Sequence, residues 1–338
     1  MNKINWGIIG LGNVANSHLK SFKKSGNFQL KGIASKKTKK LESFKKELDI
    51  KNMFCFGNYE DLIKNSEIDI IYITLPNSHH YNWINKCIDN AKNVLVEKPI
   101  TESLSQFTNI KKRLHEQDAK TSIYEGFMYK HHPQIKKIFE LISNNEIGEI
   151  KKIISSFGVN LLTKKYFWFF EKKRKINKEG RLFNKSLGGG SILDLGCYPI
   201  SFTTMLLEKF GFINFEDYKI LDKKVKIGET GVDIDSQIEM EINKNIIVKL
   251  SSSFQKNLGL KTEIHGSKGI IKIPNTWTGS PNIILEKGNI KNLIKFDKID
   301  DLYFDQINSI SNDLLNDNIG QNLDNMHLNM KLIDRWLN

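Results

Sequence analysis

The sequence predicts an α/β protein of two domains, an N-terminal doubly wound parallel sheet and a C-terminal α+β domain with an open, mainly antiparallel sheet. A chain of 338 residues suits two domains, since a domain typically takes roughly 100 to 200 residues. Short apolar runs alternate with amphipathic stretches through the first third of the chain, as in repeated strand-helix-strand units. Further on, apolar and polar residues alternate singly, as in a sheet with one covered face. We place the division between 1–122 and 123–338.

The expected elements of the N-terminal domain follow from these runs. Apolar stretches such as INWGIIG, DIIYITL and NVLVE have the length of buried strands, and the segments between them have helical periodicity. Strands are expected at 4–10, 28–34, 69–75, 93–97 and 121–125, and helices near 17–25, 38–48, 79–90 and 103–117.

The first strand runs directly into GLGNVA, which has the spacing G-x-G-x-x-A. Gly10 permits a tight turn, Gly12 lets the backbone approach a pyrophosphate, and Ala15 lets the next helix pack closely on the strand. Asn13 and Val14 complete the motif and are expected beside the cofactor, and the free N–H groups at the start of the following helix can face phosphates. The motif predicts a dinucleotide-binding Rossmann domain. An incidental glycine turn is the alternative.

The end of the second strand bears on which dinucleotide binds. NAD-binding folds usually carry an acid about 20 residues past the glycines, where it accepts from the ribose 2′-hydroxyl. Here Ser35, Lys36 and Lys37 occupy that place, and no acid follows until Glu42. A hydroxyl and positive charge suit the 2′-phosphate of NADP. We therefore predict NADP, with NAD possible if the lysines only begin a lysine-rich helix.

The segment TLPNSHHYNW follows a later strand of the same sheet. The carboxyl ends of the strands line the ligand crevice of such folds, so Leu75, Pro76, Asn77 and His80 are expected near the cofactor. The pair His79 and His80 does not predict a metal site, because neighbouring helical positions face different directions.

The strand in NVLVEKPIT ends in Glu97 and Lys98, ahead of Pro99. Both residues are expected beside the cofactor, with Lys98 projecting to where the nicotinamide should lie. A cationic nicotinamide and partial burial would lower the pKa of this lysine. It could then polarise a hydroxyl or carbonyl and pass a proton while a hydride moves. The alternative is a surface lysine at a strand end.

These motifs, with YEGFMYKHHPQ and LGGGSILDLGCYPI, resemble in order and spacing the Gfo/Idh/MocA family of oxidoreductases, in particular its branch of dimeric dihydrodiol dehydrogenase and NADP-dependent xylose dehydrogenase. The resemblance implies that the catalytic or substrate-orienting lysine is Lys98 and that the family's aspartate is Asp194. Many members have a catalytic histidine four residues after that aspartate. This chain has Tyr198 there, as that branch does, which assigns proton transfer to a tyrosine and lysine pair.

The residues themselves agree with these roles. A helix is expected to begin near Ser191, so Asp194 and Tyr198, at i and i+4, share one face. A phenol near an ammonium group can act as acid or base, and a carboxylate can orient a substrate hydroxyl. Alternatively, the tyrosine is a packed aromatic and the aspartate stabilises the helix dipole.

Three further residues are candidates for substrate contact. The family often has arginine where Lys130 stands, and His132 either lines the cleft or is a structural histidine. Trp168, within FWFF, either stacks on a sugar ring or packs under its loop.

Charge and cysteine content limit the partners. The formal net charge is +13, but the excess of lysine over arginine indicates a compositional bias rather than a polyanion site. The basic segment 164–178 predicts a solvated loop over a ligand, with nucleic-acid binding as the weaker alternative. Three widely spaced cysteines predict no disulfide and no metal centre, and a reducing cytoplasm. No apolar run has the ~18 residues of a membrane span.

The sequence therefore predicts an NADP-dependent oxidoreductase acting on a CH–OH group of a sugar, a cyclitol or a related polyhydroxylated compound. It is expected in the cytoplasm, as a homodimer or homotetramer through the C-terminal sheet, with no nucleic acid, membrane or metal as partner. Two alternatives remain: an NAD-dependent member acting on a nucleotide sugar, tetrapyrrole or glycoside, and a non-catalytic ligand-sensing homologue.

Overall fold

The chain forms two compact units, Met1–His131 with Asp301–His327, and His132–Asp300 with Leu328–Asn338. The division expected between 122 and 123 stays a prediction about the functional domains. The computed structural model describes residues 3–50, 52–116, 121–166, 170–211, 218–243, 245–278, 282–297, 301–317 and 322–338.

The first unit is built on a six-stranded parallel sheet. Its strands are β1 (Ile4–Ile9), β2 (Phe28–Ala34), β3 (Phe54–Phe56), β4 (Ile70–Ile73), β5 (Asn93–Val96) and β6 (Ile123–Glu125). They lie in the order β3-β2-β1-β4-β5-β6, and every neighbouring pair is parallel. This is the strand order of a Rossmann fold, whose ligand crevice lies at the carboxyl ends of the strands where the order reverses, between β1 and β4.

Five helices connect these strands: α1 (Asn13–Phe22), α2 (Thr38–Leu48), α3 (Tyr59–Lys64), α4 (Asn77–Asp89) and α5 (Leu104–Glu116). Each presents buried apolar residues to the sheet, and the central strands β4 and β5 are almost entirely apolar because both faces of a parallel sheet are covered. The sequence did not predict β3 and α3. Three and six residues are too few to carry a periodic signal.

The second unit is built on an eight-stranded sheet in the order β10-β11-β12-β7-β13-β14-β15-β16. All its neighbouring pairs are antiparallel except β12 and β7, which confirms a mainly antiparallel sheet. A separate hairpin comprises β8 and β9. The strands are β7 (Ile150–Gly158), β8 (Thr163–Tyr166), β9 (Phe170–Lys173), β10 (Tyr218–Ile227), β11 (Asp233–Ile242), β12 (Ile246–Ser253), β13 (Thr262–Gly266), β14 (Ile270–Ile273), β15 (Ile283–Lys287) and β16 (Ile290–Ile294).

The remaining helices are α6 (Pro133–Ser143), α7 (Cys197–Lys209), α8 (Leu302–Leu315) and α9 (Leu323–Leu337). A π-helical turn, Ile192–Gly196, leads directly into α7. Helix α8 belongs to the first unit. The indole Nε1 of fully buried Trp6 donates to Ser311 Oγ on α8 at 3.0 Å, which ties this late segment to β1.

Candidate active site

The glycine turn after β1 has the geometry that the motif requires. Gly10 has a φ of +89°, and a Cβ there would lie 2.6 Å from the Leu75 side chain, so a larger residue would be both strained and crowded. A Cβ on Gly12 would meet nothing within 4 Å. Gly12 precedes α1, whose first turn holds no acidic residue and no side-chain cap. Its N–H groups are therefore suited to a phosphate.

A cavity of about 500 Å³ adjoins this turn. It brings together several predicted cofactor residues from the ends of β1, β2 and β4 and includes others that the sequence did not single out. Among the described residues that line it, lysine supplies all the full charges and none is acidic. The lining residues are Gly10, Leu11, Gly12, Ser35, Lys36, Lys37, Lys40, Tyr59, Thr74, Leu75, Pro76, His79 and Trp83.

The loop after β2 is fixed from two sides. Buried Ser35 accepts from the Lys37 backbone N–H at 3.1 Å, so its hydroxyl organises the turn. Tyr59 is hydrogen-bonded to the Lys36 backbone, and the Lys36 Nζ lies 5.6 Å from the centroid of the Tyr59 ring. Trp83 packs edge-on against Tyr59 at 5.0 Å between centroids. An aromatic wall of Tyr59 and Trp83 thus positions the lysine loop.

His80 is not one of the residues that line this cavity, although it contacts one of them. Its ring is fully buried, and its two nitrogens lie 2.9 Å from the carbonyl oxygens of Leu75 and Pro99. Of the predicted residues after β4, Leu75 and Pro76 line the cavity, whereas Asn77 is buried in the first turn of α4. His80 therefore connects the loops after β4 and β5, while its neighbour His79 faces the cavity.

Glu97 and Lys98 follow β5 at the same edge of the sheet, and both are half-buried. The Glu97 N–H donates to Ile73 O at 3.1 Å, and the Lys98–Pro99 peptide bond is cis. Burial, and secondarily Glu97, raise the pKa of Tyr303 on α8, whereas Lys98 acts in the opposite direction. Glu97 and Lys98 therefore both lie close enough to the Tyr303 phenol to affect its pKa.

In the second unit, Asp194 and Tyr198 lie on the π turn and on α7, and each is nine-tenths buried or more. Asp194 Oδ1 accepts from the Arg181 guanidinium at 2.8 Å. The Tyr198 ring packs against Phe157 and Trp277, at 5.2 and 5.6 Å between centroids. The sequence did not indicate Arg181, which precedes the glycine loop by several residues, although it is one of four arginines in the chain.

A buried carboxylate organises the loop that leads into this turn. Asp233 Oδ2 on β11 accepts from Ser191 Oγ at 2.6 Å and from the Ile192 N–H at 2.8 Å. A Cβ on Gly190, whose φ is +125°, would lie 2.2 Å from Asp233 Oδ1. Burial raises the pKa of Asp233, against the effect of these hydrogen bonds. The bare glycine therefore lets this carboxylate approach and fix the start of the turn.

The three predicted substrate residues fall in different places. The Lys130 Nζ lies 5.1 Å from the Phe127 ring in the first unit. His132 is 2 % exposed; its Nδ1 accepts from the Gln134 N–H at 2.9 Å and caps α6. Burial lowers the pKa of His132 to about 4. Trp168 lies outside the described residues.

Two searches of the described part of the chain gave no candidates. Within the described ranges, no three histidine, cysteine or acidic side chains are grouped as metal ligands would be. Among the helices that the structure describes, none is long and apolar enough to cross a bilayer.

Comparison with known proteins agrees with this architecture. Residues 4–125 match the model of the oxidoreductase family with an NAD-binding Rossmann fold, named GFO_IDH_MocA. Residues 135–272 match that of the GFO/IDH/MocA C-terminal domain. The chain belongs to the Gfo/Idh/MocA family, and it is an oxidoreductase with an NAD(P)-binding Rossmann domain.

Individual relatives give a finer comparison. The trans-1,2-dihydrobenzene-1,2-diol dehydrogenase of Xenopus tropicalis is 30% identical over 295 residues, 86% of this chain and 80% of that protein. A D-xylose 1-dehydrogenase (NADP(+)) of Haloferax volcanii is 25% identical over 74% of this chain and 69% of its own length. The fold matches that of a 3-ketoreductase from Actinomadura kijaniata solved with NADP and TDP-benzene, with a TM-score of 0.83, 19% identity and coverage of 98% and 96% of the two chains. The predicted family and fold class are confirmed.

Proposed function

We propose that this oxidoreductase uses NADP and transfers a hydride between the nicotinamide and a carbinol or carbonyl carbon of a sugar, a cyclitol or a related polyhydroxylated substrate. The observation that carries the choice of NADP is the cavity beside the glycine turn, whose described lining contains Lys36, Lys37 and Lys40 and no acid. An acid at this position would accept from a free 2′-hydroxyl and repel a 2′-phosphate.

The residues present fit such a cofactor. The open side of Gly12 and the uncapped start of α1 suit a pyrophosphate. The Lys36 ammonium, positioned through Tyr59, suits the 2′-phosphate. When bound, the cofactor supplies a nicotinamide carbon that accepts or donates the hydride.

The chain's own residues would handle the proton and the orientation of the substrate. Tyr198 would take the hydroxyl proton of an alcohol substrate, or return it to a carbonyl, and Lys98 would polarise the reacting oxygen. Asp194 would accept a hydrogen bond from a neighbouring substrate hydroxyl. The Arg181 guanidinium lies 2.8 Å from the Asp194 carboxylate and favours its ionised form, which accepts hydrogen bonds. Phe157, half-buried beside Tyr198, suits the apolar face of a sugar ring, whereas Trp277 is fully buried.

Turnover tests this assignment. Sugars, polyols and nucleotide sugars are screened with NADP and NAD by the near-ultraviolet absorbance of the reduced cofactor. With an active substrate, Tyr198→Phe should cut kcat by about a hundredfold or more and leave NADPH affinity unchanged. Tyr218→Phe is the matched control, because that hydroxyl accepts from Arg335 Nε at 2.9 Å on an exposed surface. Unchanged turnover in Tyr198→Phe would overturn the catalytic role.

The relatives support the substrate class without defining it, since one is named for a dihydrodiol and another for xylose. Both are cyclic compounds that carry hydroxyl groups. If only nucleotide sugars turn over, the substrate class is corrected while the hydride chemistry remains.

We also propose that the enzyme is a homodimer or homotetramer of the cytoplasm that assembles through its C-terminal sheet. Leu221 and Ile227 on β10 are 43% and 57% exposed, which supports an interface at this part of the sheet. None of the three cysteines is in a disulfide, as suits a reducing compartment. Light scattering of the purified protein measures its molar mass in solution. A monomer that remains active would exclude the proposed homodimer or homotetramer.

A further inference from the structure

A second basic cavity, which we call the Arg174 cavity, lies within the second unit. Its volume is about 640 Å³, which is typical of a small-molecule site. The loop after β9 supplies most of its lining, and the Arg174 N–H anchors the start of this loop by donating to Leu162 O at 2.8 Å. The turn between β10 and β11 supplies the rest. The lining residues are Arg174, Lys175, Ile176, Asn177, Lys178 and Glu229.

The three cations of this cavity have no partner in the described part of the chain. The side chains of Arg174, Lys175 and Lys178 make no ion pair and no hydrogen bond with any described residue. Glu229, the one acid among the described lining residues, is not paired with them either. Other lysines of the same unit, by contrast, lie 2.6–3.2 Å from a carboxylate, as do Lys224, Lys249 and Lys256. A concave surface that gathers unpaired cations favours an anionic ligand.

Arg174 distinguishes this cluster from the many surface lysines of the chain. Only four of the 51 lysine and arginine residues are arginines, so the compositional bias does not explain one here. Arg113, Arg181 and Arg335 each bind a side chain of the protein, whereas the Arg174 guanidinium binds none within the described ranges. Its planar fork can donate to two oxygens of one phosphate. A phosphate monoester, with a charge of about −1.5 to −2, also balances more of the three cations than a carboxylate does.

The loop that carries these cations packs on the same apolar cluster as the proposed catalytic residues. Half-buried Ile176 packs against this cluster, as does Phe157, and the cluster itself includes Leu195. Leu195 belongs to the π turn, and the Phe157 ring packs against that of Tyr198. The Arg174 cavity and the proposed catalytic turn therefore border one cluster.

The same segment of chain leads directly to the proposed substrate-orienting aspartate. Arg181, three residues beyond Lys178, lies 2.8 Å from the Asp194 carboxylate. Three residues span at most about 11 Å, and a turn in which the Gly180 N–H donates to Asn177 O at 3.0 Å shortens this span. A phosphorylated ligand that is oriented at Asp194 can therefore extend towards the cavity.

We propose that the Arg174 cavity binds a phosphate group of the substrate, so that the substrate is a phosphorylated sugar or cyclitol rather than a free one. Arg174 binds two phosphate oxygens, and Lys175 and Lys178 balance the remaining charge. Glu229 accepts a hydrogen bond from a sugar hydroxyl. A phosphate monoester and the diphosphate of a nucleotide sugar share this chemistry. The identity of the substrate rests on the proposed function, whereas the binding of phosphate by the cavity does not.

Calorimetric titration of the whole protein with inorganic pyrophosphate, at low ionic strength, tests the cavity without a substrate. The protein is first saturated with NADPH or NADH, whichever binds more tightly, so that the cofactor cavity is occupied. The wild type should bind pyrophosphate, and Arg174→Ala should lose about tenfold or more in affinity. Arg335→Ala is the matched control, because it removes an exposed arginine of the same unit that donates to Tyr218, and it should bind like the wild type. Absence of binding by the wild type, or equal losses in the two variants, would overturn the proposal.

Two further variants separate the guanidinium from its charge and from the fold. Arg174→Lys keeps the charge without the fork, so it should recover only part of the affinity. Lys178→Ala should weaken binding several-fold and serves as an independent variant if Arg174→Ala does not fold. Nucleic acid is the competing ligand for this basic loop. A single-stranded oligonucleotide that binds more tightly than pyrophosphate, and depends on Arg174, would overturn the proposal.

Turnover identifies the source of the phosphate. Sugar phosphates and nucleotide sugars are compared with the corresponding free sugars, each with NADP and NAD. The phosphorylated substrate should have the higher kcat/KM, and Arg174→Ala should raise its KM about tenfold with little change in kcat. The KM of the free sugar should not change, whereas a purely structural role of Arg174 would impair both substrates alike.

The two measurements distinguish failure of this inference from failure of the proposed function. If pyrophosphate binds through Arg174 but phosphorylated compounds turn over no better than free sugars, the cavity binds free phosphate and the substrate assignment is wrong. If no compound turns over while pyrophosphate binding depends on Arg174, the phosphate site stands and the proposed function fails.

Discussion

The buried carboxylate of Asp233 offers the sharpest test of how the second unit holds the turn that carries Asp194. Its side chain accepts from the Ser191 hydroxyl and the Ile192 N–H, at 2.6 and 2.8 Å, in a site where Asp233 is 5% exposed. Asp233→Ala leaves both donors buried without this acceptor. An orphaned buried donor costs about 1–3 kcal/mol. The Ser191 hydroxyl can still bond Ser252 Oγ, at 3.1 Å, whereas the Ile192 N–H loses this acceptor, so the variant should lose about 1–3 kcal/mol of unfolding free energy.

The measurement is urea unfolding followed by circular dichroism, with two matched variants. Asp235→Ala removes a carboxylate from the same strand. The Asp235 carboxylate pairs at 2.6 Å with the ammonium of Lys256, which is half exposed. The loss of unfolding free energy should therefore stay below about 1 kcal/mol. Asp233→Asn keeps an acceptor oxygen and removes a charge that burial disfavours, as the raised pKa of Asp233 indicates. It should therefore be more stable than Asp233→Ala. An Asp233→Ala protein as stable as the wild type, or no less stable than Asp235→Ala, would refute this reasoning.

Three further predictions concern the glycine turn, the lysine loop and the cap of α6. Gly10→Ala should lower the unfolding free energy by about 1–3 kcal/mol and weaken NADPH binding, because φ is +89° and a Cβ would be crowded; unimpaired stability and binding would contradict this. Tyr59→Phe should weaken NADPH binding several-fold, on the order of 1 kcal/mol, because it removes the hydrogen bond that holds the Lys36 backbone. NADH binding should be unchanged. An equal loss of affinity for NADPH and NADH would show that the hydroxyl does not act through the lysine. The pKa of His132 is lowered from 6.5 to about 4, so the stability it contributes is full above about pH 6.5 and is lost as pH falls towards 4. Urea unfolding should show a loss approaching about 3 kcal/mol, and His132→Asn, which still accepts from the Gln134 N–H, should lose less over the same range.

The sequence predicted the parts of the site that depend on local pattern. The turn at Gly10 and Gly12 needs only a strand, a glycine spacing and a helix, all contiguous in the chain. Lys36 and Lys37 follow β2 directly, so their place at the carboxyl edge could be inferred from the sheet. Lys98 could be placed for the same reason.

The parts that the sequence did not predict are set by contacts between distant segments. Tyr59 reaches the loop after β2 from α3, an element too short for a periodic signal. Asp233 and Ser191 meet only because β11 passes behind the glycine loop, and their separation of 42 positions leaves no local pattern. His132 is an exception, since Pro133 is a helix-start signal that could have placed the preceding residue at the cap of α6.

The choice of cofactor is tested most directly by titrating the purified protein with NADPH and with NADH, following energy transfer from its tryptophans. Trp83 lines the cavity and supplies a donor close to the site. The wild type should bind NADPH more tightly, and Lys36→Ala should lose about tenfold in NADPH affinity with no change for NADH. Lys39→Ala is the control, an exposed lysine of α2 that is not part of the cavity lining, and it should bind like the wild type. Equal or tighter binding of NADH by the wild type would contradict the proposed use of NADP.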